Sequence, residues 1–248
     1  MQILLACAKT MTGRAAYGSS AATEPAFQQH AAHNAMQLAA YSAAELQRLL
    51  RTNGNIALEN WHRYQTFFDA GSRVPAVFAY DGIAFQRLAP ETLTEDELQY
   101  ANAHLLIGSF LYGLLRPLDL VSRYRLEGDV ALPGNGGKDM FRFWQPILTD
   151  WFIQRIREDD GILVNLASAE FKRIVDWKRV IREVRVVTPD FRVMKDGRAK
   201  TVVIYAKMCR GAMARWILRN RPAAPEELKR FCYEGFEYNE ASDGWILA

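Results

Sequence analysis

Polar side chains follow several apolar runs that the sequence predicts as strands. They are Lys9 after 3–8, Asp81 after 77–80, Asn165 and Ser168 at the end of 162–167, and Lys207 and Arg210 after 202–205. Strand ends that converge on one edge of a sheet are a frequent place for a functional site. Taken singly, each residue is also explained as a helix cap or as an exit to solvent. As a set they favour a site, because lysine and arginine are rarely buried without partners.

Convergence of these side chains would give them distinct chemical roles. Lys9 would be an electrostatic or general-acid group, Asp81 or Glu127 a general base, and Arg116 and Arg210 the clamps on a phosphate. The matching hypothesis is an enzyme that acts on a nucleotide, a nucleobase or another phosphorylated small molecule. Its cleft would be lined by Lys9, Arg116, Asn165, Lys207 and Arg210. The sequence does not show convergence, so the question of an enzyme stays open.

The segment 108–120 interrupts a strong helical pattern with Gly113, Arg116 and Pro117. Gly113 allows a left-handed backbone or a close approach. Pro117 disfavours helix at the preceding residue and suits the first position of a new helix. The segment is therefore predicted to be a helix, a tight turn and a second helix over 105–121. A helix start presents unpaired N–H groups, so this turn with Arg116 is predicted to hold a phosphate.

Charge is distributed unevenly along the chain. The whole sequence carries 31 basic and 28 acidic residues, a net charge of +3. The segment 171–221 holds 15 basic and 4 acidic residues, a net of +11, which leaves a net of −8 for the remainder. Such asymmetry points to an anionic partner. The alternative is that helices and strands in this segment simply have solvated basic faces, since a basic stripe alone does not specify nucleic acid.

Length and composition bound the class of protein. A chain of 248 residues predicts one domain with a sizeable core. No apolar run approaches the ~18–20 residues of a membrane span. The start of the chain lacks the basic leader of a secretory signal and is predicted as a buried strand. Three cysteines, an odd number without close pairing, fit a reducing compartment. We therefore expect a cytoplasmic protein without a membrane partner.

Helical and strand patterns mix without a regular βαβ period, so the predicted class is α+β. Helices are predicted at 35–51, 56–68, 94–111, 138–157 and 207–219, with a short one at 226–231. Strands are predicted at 3–8, 75–80, 161–167, 180–187, 191–194 and 201–205, with one or two weak strands in 233–247. Asp196–Gly197 is predicted to be a hairpin turn, and 12–25 a loop of small polar residues.

Three local motifs carry weaker signals. The loop 134–139 contains glycines and Lys138, but it lacks the spacing and the Ser/Thr of a phosphate loop and is predicted to cap the next helix. His30 and His33 are spaced three apart without a cysteine or carboxylate cluster, so no metal site is predicted. Cys209 lies near a helix start that could lower its thiol pKa, although an ordinary buried cysteine is favoured. No cofactor is predicted.

Several short motifs occur in order along the chain. They are Ala8-Lys9-Thr10, Leu111-Tyr-Gly-Leu-Leu-Arg-Pro-Leu-Asp119, Tyr124-Arg-Leu-Glu127, Gly137-Lys-Asp139 leading to Phe143-Trp144, Asn165-Leu-Ala-Ser168, Tyr205-Ala-Lys207 and Arg210-Gly211. Together they resemble the YaaA family of bacterial peroxide-stress-response proteins. The resemblance runs along nearly the whole chain, and the order and spacing of the motifs make it specific.

The resemblance implies a single α+β domain over 1–248, with a mixed sheet, surrounding helices and a basic cleft in a melon-like fold. It implies sequence-independent binding of double-stranded DNA through a helix-hairpin-helix element, which we place at 105–121. It also implies a role in limiting unincorporated intracellular iron during hydrogen peroxide stress, so that less DNA is damaged. The expected DNA or phosphate contacts are Lys9, Gly113, Arg116, Lys138, Lys207, Arg210 and Arg215.

The chain departs from the family pattern at three places. Cys7 stands where family members usually have proline before Ala-Lys. The family's Tyr-Ala-Lys-Lys-Ala-Arg-Gly is Tyr-Ala-Lys-Met-Cys-Arg-Gly at 205–211, which removes one lysine. The family's Gly-Asp-Val-Tyr is Tyr-Asp-Gly-Ile at 80–83, a change that could alter one wall of the cleft. Five residues of the pattern are kept, so we expect the site to survive: Lys9, Arg116, Asn165, Lys207 and Arg210.

Overall fold

The computed structural model describes residues 1–12, 22–69, 71 and 73–247. The strands are β1 (Gln2–Ala6), β2 (Val74–Pro75), β3 (Leu105–Ser109), β4 (Gly113–Leu115), β5 (Leu120–Val121), β6 (Ile162–Asn165), β7 (Arg185–Val187), β8 (Phe191–Lys195), β9 (Arg198–Lys200), β10 (Phe236–Asn239) and β11 (Gly244–Leu247). The helices are α1 (Gln28–Ala39), α2 (Ala43–Leu49), α3 (Gly54–Gln65), α4 (Ala76–Ala79), α5 (Ile83–Leu88), α6 (Glu95–His104), α7 (Met140–Glu158), α8 (Trp177–Glu183) and α9 (Val203–Asn220). Short 3-10 helices cover Pro90–Thr92, Pro133–Asn135, Ala169–Ile174 and Pro225–Arg230. The loop predicted at 12–25 falls mostly on 13–21, outside the described residues.

The central sheet has the strand order β4-β3-β1-β6-β7. β1 pairs in parallel with β3 and β6, β6 pairs in parallel with β7, and β4 pairs antiparallel with β3. The apolar run of β1 is buried along most of its length, as expected for a parallel strand covered on both faces. The buried strands predicted at 3–8 and 161–167 are therefore confirmed. The carboxyl ends of β1, β3 and β6 lie at one edge of this sheet.

The second sheet has the order β10-β11-β8-β9 and mixes parallel with antiparallel pairs. The predicted turn at Asp196–Gly197 is confirmed, with positive φ at both residues. The strand predicted at 201–205 is wrong, because β9 ends at Lys200 and α9 begins at Val203. The strand predicted at 180–187 is reduced to β7, because α8 extends to Glu183. Both segments contain several valine and isoleucine residues near a helix end, and such β-branched residues are typical of strands.

The helix-hairpin-helix predicted at 105–121 is wrong. α6 starts with the predicted capping box, in which Thr94 Oγ1 accepts from the Glu97 amide at 3.2 Å, but it ends at His104. The following residues form β3, a tight turn and β4. Leu105–Ser109 is buried throughout and pairs with β1, and a short apolar run of this kind fits a buried strand as well as a helix. Position 113 nevertheless requires glycine, because its φ is +77° and a Cβ there would lie 2.9 Å from Trp144 Cζ3.

Helices and loops cover both faces of the central sheet, and the buried residues of all parts form one hydrophobic cluster from Met1 to Trp245. In α7, which begins after the N-cap Asp139, the buried Trp144 donates from Nε1 to the Phe110 carbonyl oxygen at 2.7 Å. Among the described residues, no helix combines the length and apolarity needed to cross a bilayer. The structure thus combines helices with mixed sheets, which agrees with the predicted α+β class.

The contact between α9 and α5 depends on Gly211. A Cβ at this position would overlap the carbonyl oxygen of Ala84 in α5. The glycine lets the two helices approach closely, so Lys207 and Arg210, on the preceding turn of α9, lie beside the start of α5. This packing sets one wall of the cavity described below.

We expect Gly211→Ala to lower the free energy of unfolding by about 1–3 kcal/mol, because a backbone overlap forces the helices apart. Helix propensity alone predicts the opposite sign, a gain of roughly 1 kcal/mol for Gly→Ala inside a helix. Urea denaturation followed by circular dichroism measures the difference. Gly54→Ala at the start of α3 is the matched control, because its Cβ would meet only ordinary contacts. A Gly211→Ala protein as stable as the wild type would contradict the packing argument.

Candidate functional site

A cavity of about 440 Å³ opens at the carboxyl ends of β1, β3 and β6. Its wall is built from the residues after these strands, from the segment entering α5, from 124–127 and from one face of α9. The ends of parallel strands meet at one edge because the strands share a direction. The charged residues of the wall are Lys9, Asp81, Arg125, Glu127, Glu170, Lys207 and Arg210. The cavity therefore offers charged groups of both signs around an apolar interior.

The predicted convergence of polar residues is confirmed for Lys9, Asp81, Lys207 and Arg210, which all line this cavity. Glu127, which the sequence offered as an alternative base to Asp81, lines it too. Three of these residues arrive there by a different route from the one predicted. Residues 76–79 before Asp81 form α4 in place of the predicted strand, and Lys207 and Arg210 lie in α9. Their roles toward a ligand stay predictions.

The carboxylate of Glu127 lies between two cations. Its Oε2 is 2.9 Å from Lys9 Nζ, and its Oε1 is 3.1 Å from Arg125 Nη2. The side chain of Glu127 is 17% exposed and that of Arg125 is 20%, whereas Lys9 is 68% exposed. Arg125 thus fixes the carboxylate from inside the wall, and Lys9 reaches it from the solvent side. Sequence reasoning missed Arg125, although it stands inside the quoted Tyr124–Glu127 motif.

Two cations on the α9 side of the wall are unpaired. Neither Lys207 nor Arg210 forms an ion pair or a side-chain hydrogen bond within the part of the chain that the structure describes. Burial lowers the pKa of the Arg210 guanidinium, while the charge of Asp190 raises it. A desolvated, unpaired guanidinium beside an exposed ammonium favours the binding of an anion.

A network of hydroxyl groups lies beneath the charged wall. The hydroxyl oxygen of Tyr124 is 2.6 Å from Ser109 Oγ and 2.9 Å from the Tyr80 hydroxyl oxygen. Burial raises the pKa of both tyrosines well above the usual value, so both are neutral phenols. Burial likewise raises the pKa of the adjacent Cys7 thiol to about 12, although a hydrogen bond with Tyr124 lowers it. No local pattern in the sequence indicates this network, although Tyr124 stands in the quoted 124–127 motif.

Asn165 and Arg116, predicted to line the cleft, do not lie on the cavity wall. Asn165 is buried behind the wall, where its Oδ1 accepts from the Ala167 amide at 3.2 Å and its Nδ2 donates to Thr188 Oγ1 at 3.3 Å. Arg116 donates from Nη2 to Asp119 Oδ1 at 2.8 Å and to a backbone carbonyl. Both side chains stabilise the turns that contain them. Of the five residues predicted to line the cleft, only Lys9, Lys207 and Arg210 line this cavity.

Three further predicted phosphate contacts lie elsewhere. Gly113 is buried in the β3–β4 hairpin. Arg215 donates from Nη1 to the carbonyl oxygens of Leu88 and Ala89, both at 2.9 Å, and so caps the end of α5. Lys138 is exposed beside a separate shallow depression.

The loop before Lys138 packs onto α1. The amide of Asn135 is buried there, where its Nδ2 donates to Asn34 Oδ1 at 2.9 Å. This agrees with the structural loop that the sequence favoured over a phosphate loop. His33 Nε2 is 3.2 Å from Asn135 Oδ1, and the His30 ring packs against Trp144. In the described ranges, no group of three or more His, Cys, Asp or Glu side chains could hold a metal ion.

Comparison with known proteins identifies the family. Residues 1–242 match the family model of the peroxide stress protein YaaA. The chain belongs to this family. A UPF0246 protein of Phocaeicola vulgatus is 51% identical over 240 residues, covering 96% of this chain and 94% of the relative. A UPF0246 protein of Bacteroides fragilis is 52% identical over 241 residues, with 97% and 94% coverage. One from Ralstonia nicotianae is 41% identical over 213 residues, with 83% and 82% coverage.

We expect the thiols of Cys7 and Cys209 to react slowly with iodoacetamide at pH 8. Burial raises the pKa of each to about 12, so only about one in ten thousand is a thiolate at that pH. Cys232 is exposed and serves as the internal control. Mass mapping of alkylated peptides should show Cys232 labelled first and the other two only in denaturant. Labelling of Cys7 as fast as Cys232 would show that its thiol is not held neutral.

Proposed function

We propose that this member of the peroxide stress family binds double-stranded DNA and thereby helps to limit oxidative DNA damage and unincorporated iron. The iron part of the proposal is supported by the family resemblance. The DNA part is supported by four cations that have no ion pair among the described residues. Lys195 and Arg198 stand on the β8–β9 hairpin, and Lys207 and Arg210 stand on the α9 face beside the cavity. Two residues separate β9 from α9, which keeps these cations on adjoining elements.

Ion pairs restrict where DNA would bind. Many basic residues of the +11 segment are neutralised by acidic residues from elsewhere in the chain. These pairs include Arg179 with Asp150 at 2.5 Å, Arg185 with Glu226 at 2.5 Å, Arg219 with Glu97 at 3.4 Å, and Arg221 with Asp96. A paired cation adds less to phosphate binding, because the phosphate must compete with the carboxylate. We therefore propose that the DNA contacts are Lys195, Arg198, Lys207 and Arg210, which we name the basic mouth; the last two line the cavity.

Contacts at the basic mouth would be to phosphates, which position a duplex without reading its sequence. The helix-hairpin-helix no longer contributes to the argument, since β3 and β4 occupy that segment. Arg116 and Lys138 stay predicted contacts outside the basic mouth. A phosphate at Arg116 would have to compete with Asp119 for its guanidinium.

We expect the affinity for a fluorescent DNA duplex to fall with salt, and Lys195→Ala/Arg198→Ala to reduce the slope of log K against log [salt] by about two units. Each phosphate contact contributes roughly 0.9 to that slope. Fluorescence anisotropy at several salt concentrations gives both slopes. Lys229→Ala is the control, because this ammonium already pairs with Glu240 at 3.1 Å, and its slope should match the wild type. An unchanged slope in the double variant removes the hairpin from the interface, and no binding at low salt contradicts the DNA proposal.

A second candidate function is favoured by the cavity itself. Its volume of about 440 Å³ lies within the range of small-molecule sites, roughly 300–1,000 Å³. Phosphate contacts do not need an internal carboxylate such as Glu127, whose charge opposes an approaching anion. In this candidate Glu127 is the general base, Lys9 stabilises charge or returns a proton, and Lys207 with Arg210 holds the anionic part of the substrate. Asp81 is the alternative base, and Gln86 Nε2 donates to its Oδ1 at 3.0 Å.

Glu127→Gln separates the two candidates. The substitution keeps the shape of the side chain and removes a negative charge near the basic mouth, so DNA affinity should stay equal or rise. If the cavity is an enzyme site, removing its base lowers the rate by roughly 10²–10⁴-fold. We expect a strain carrying only this variant to survive hydrogen peroxide no better than the deletion strain. Glu59→Gln on the surface of α3 is the matched control. Full protection by Glu127→Gln would rule out Glu127 as a catalytic base.

A further inference from the structure

Tyr124 is the member of the buried hydroxyl network that lines the cavity wall; Ser109 and Tyr80 do not reach it. Ser109 Oγ is held in place, since it accepts from the Tyr112 amide at 2.9 Å. Tyr124 is 4% exposed, and we call the part of the wall around it the cavity floor. The floor thus carries one phenol hydroxyl with two fixed hydroxyl neighbours.

One arrangement of the hydroxyl protons leaves the Tyr124 proton for the cavity, since either oxygen of each pair can be the donor. A phenol oxygen has one proton to donate and two acceptor positions. When Ser109 and Tyr80 both donate to it, at 2.6 and 2.9 Å, its acceptor positions are filled and its own proton points away from them. The remaining neighbours are the cavity and Cys7, whose sulfur is a weak acceptor. An acceptor atom of a ligand would replace the Cys7 sulfur as the partner of the Tyr124 hydroxyl and would be a stronger acceptor. Hydrogen bonds donated by Ser109 and Tyr80 would strengthen the bond from Tyr124 to the ligand.

The rest of the floor is flat and apolar. The rings of Phe110 and Phe171 stack with centroids 4.6 Å apart and planes 21° apart, and both line the cavity. Leu126 and Leu166 complete this surface. A planar ring fits such a floor by burying its faces and edges against these side chains. Lys207, which is exposed, and Arg210, which is half-buried, also line the cavity.

We propose that the cavity binds a free nucleoside monophosphate, with an acceptor atom of the base on the Tyr124 hydroxyl and the phosphate at Lys207 and Arg210. The proposal rests on the second candidate function and specifies its substrate class. A ligand that is flat and apolar at one end and anionic at the other matches the distribution of groups in the cavity. Tyr124 then selects the base, because a buried donor left without an acceptor disfavours ligands that lack one.

The test is calorimetry of the whole chain with AMP, GMP, CMP and UMP, beside the corresponding nucleosides and inorganic phosphate. We expect at least one monophosphate to bind, and its nucleoside and phosphate alone to bind at least about tenfold more weakly. Arg210→Gln should reduce the advantage of the monophosphate over the nucleoside, because that advantage comes from the phosphate contact. Absence of binding by all four monophosphates at millimolar concentration would overturn the proposal.

Tyr124→Phe tests the base contact, with an expected loss of affinity of about tenfold, equal to one hydrogen bond. The control is Tyr112→Phe, which removes a buried phenol oxygen that accepts from the Ser122 amide at 2.9 Å outside the cavity. Its affinity should match the wild type. Thermal unfolding verifies that each variant folds, and the exposed Lys207→Met repeats the test at the phosphate end if Tyr124→Phe does not fold. Equal affinity of Tyr124→Phe and wild type would overturn the role of Tyr124.

Failure of this inference is distinguishable from failure of the proposed functions. DNA affinity of Tyr124→Phe should stay unchanged, because Tyr124 is buried and is not one of the proposed phosphate contacts. A Tyr124→Phe protein that loses nucleotide binding and retains DNA binding would support the cavity ligand and leave the DNA proposal unaffected. Nucleotide binding combined with full peroxide protection by Glu127→Gln would keep the ligand assignment and remove Glu127 as a catalytic base. The outcomes therefore test the nucleotide site, the DNA interface and the role of Glu127 separately.

Discussion

The parallel pairing of β1 with both β3 and β6 is the constraint on which the rest of the structure depends. β1 is buried on both faces, and its backbone groups bond to two neighbours, so neither its register nor its direction can change without exposing apolar surface. The pairing continues past β1, because the Cys7 amide donates to the Gly108 carbonyl oxygen at 2.9 Å. Lys9 follows this rigid strand and therefore lies at the edge of the sheet, on the cavity wall. The cavity is a consequence of three strands ending together.

The electrostatics of the site follow from what the chain neutralises and what it leaves unpaired. Acidic residues from distant parts of the chain pair with much of the basic segment 171–221, so its sequence charge overstates its surface charge. Lys207 and Arg210 escape this pairing because the close α9–α5 contact turns them toward the cavity. Glu127, in contrast, is held by Lys9 and Arg125. The cavity wall thus holds an anchored carboxylate together with two cations that have no ion pair among the described residues.

Local sequence patterns predict the elements that depend on neighbouring residues. They fail where pairing with a distant strand determines the secondary structure. The buried strands β1 and β6, the Thr94 capping box and the Asp196–Gly197 turn follow from adjacent residues, and each is present. The leucines of 105–121 satisfy a helical period, yet the pairing of Leu105–Gly108 with β1 makes the start of this segment a strand. For the site, the end of a strand was enough to predict Lys9, whereas Asp81 lines the cavity although 76–79, predicted as part of a strand, form α4. Contacts between residues far apart in the chain, such as Tyr80 with Tyr124, leave no local pattern to find.

The departures from the family pattern gain a physical meaning from their positions. Cys7 replaces a usual proline, and because proline has no N–H, the bond from residue 7 to Gly108 depends on this replacement. In the stretch 80–83 the tyrosine of the family pattern stands at the fourth position, whereas here it is Tyr80, whose hydroxyl contacts Tyr124 beneath the cavity. Ile83 in turn places an apolar side chain on the cavity wall. Cys7 and residues 81–83 line the cavity and Tyr80 lies beneath it, while Lys9, Lys207 and Arg210 are kept. The departures from the family pattern therefore change the wall and its support and leave these three cations in place.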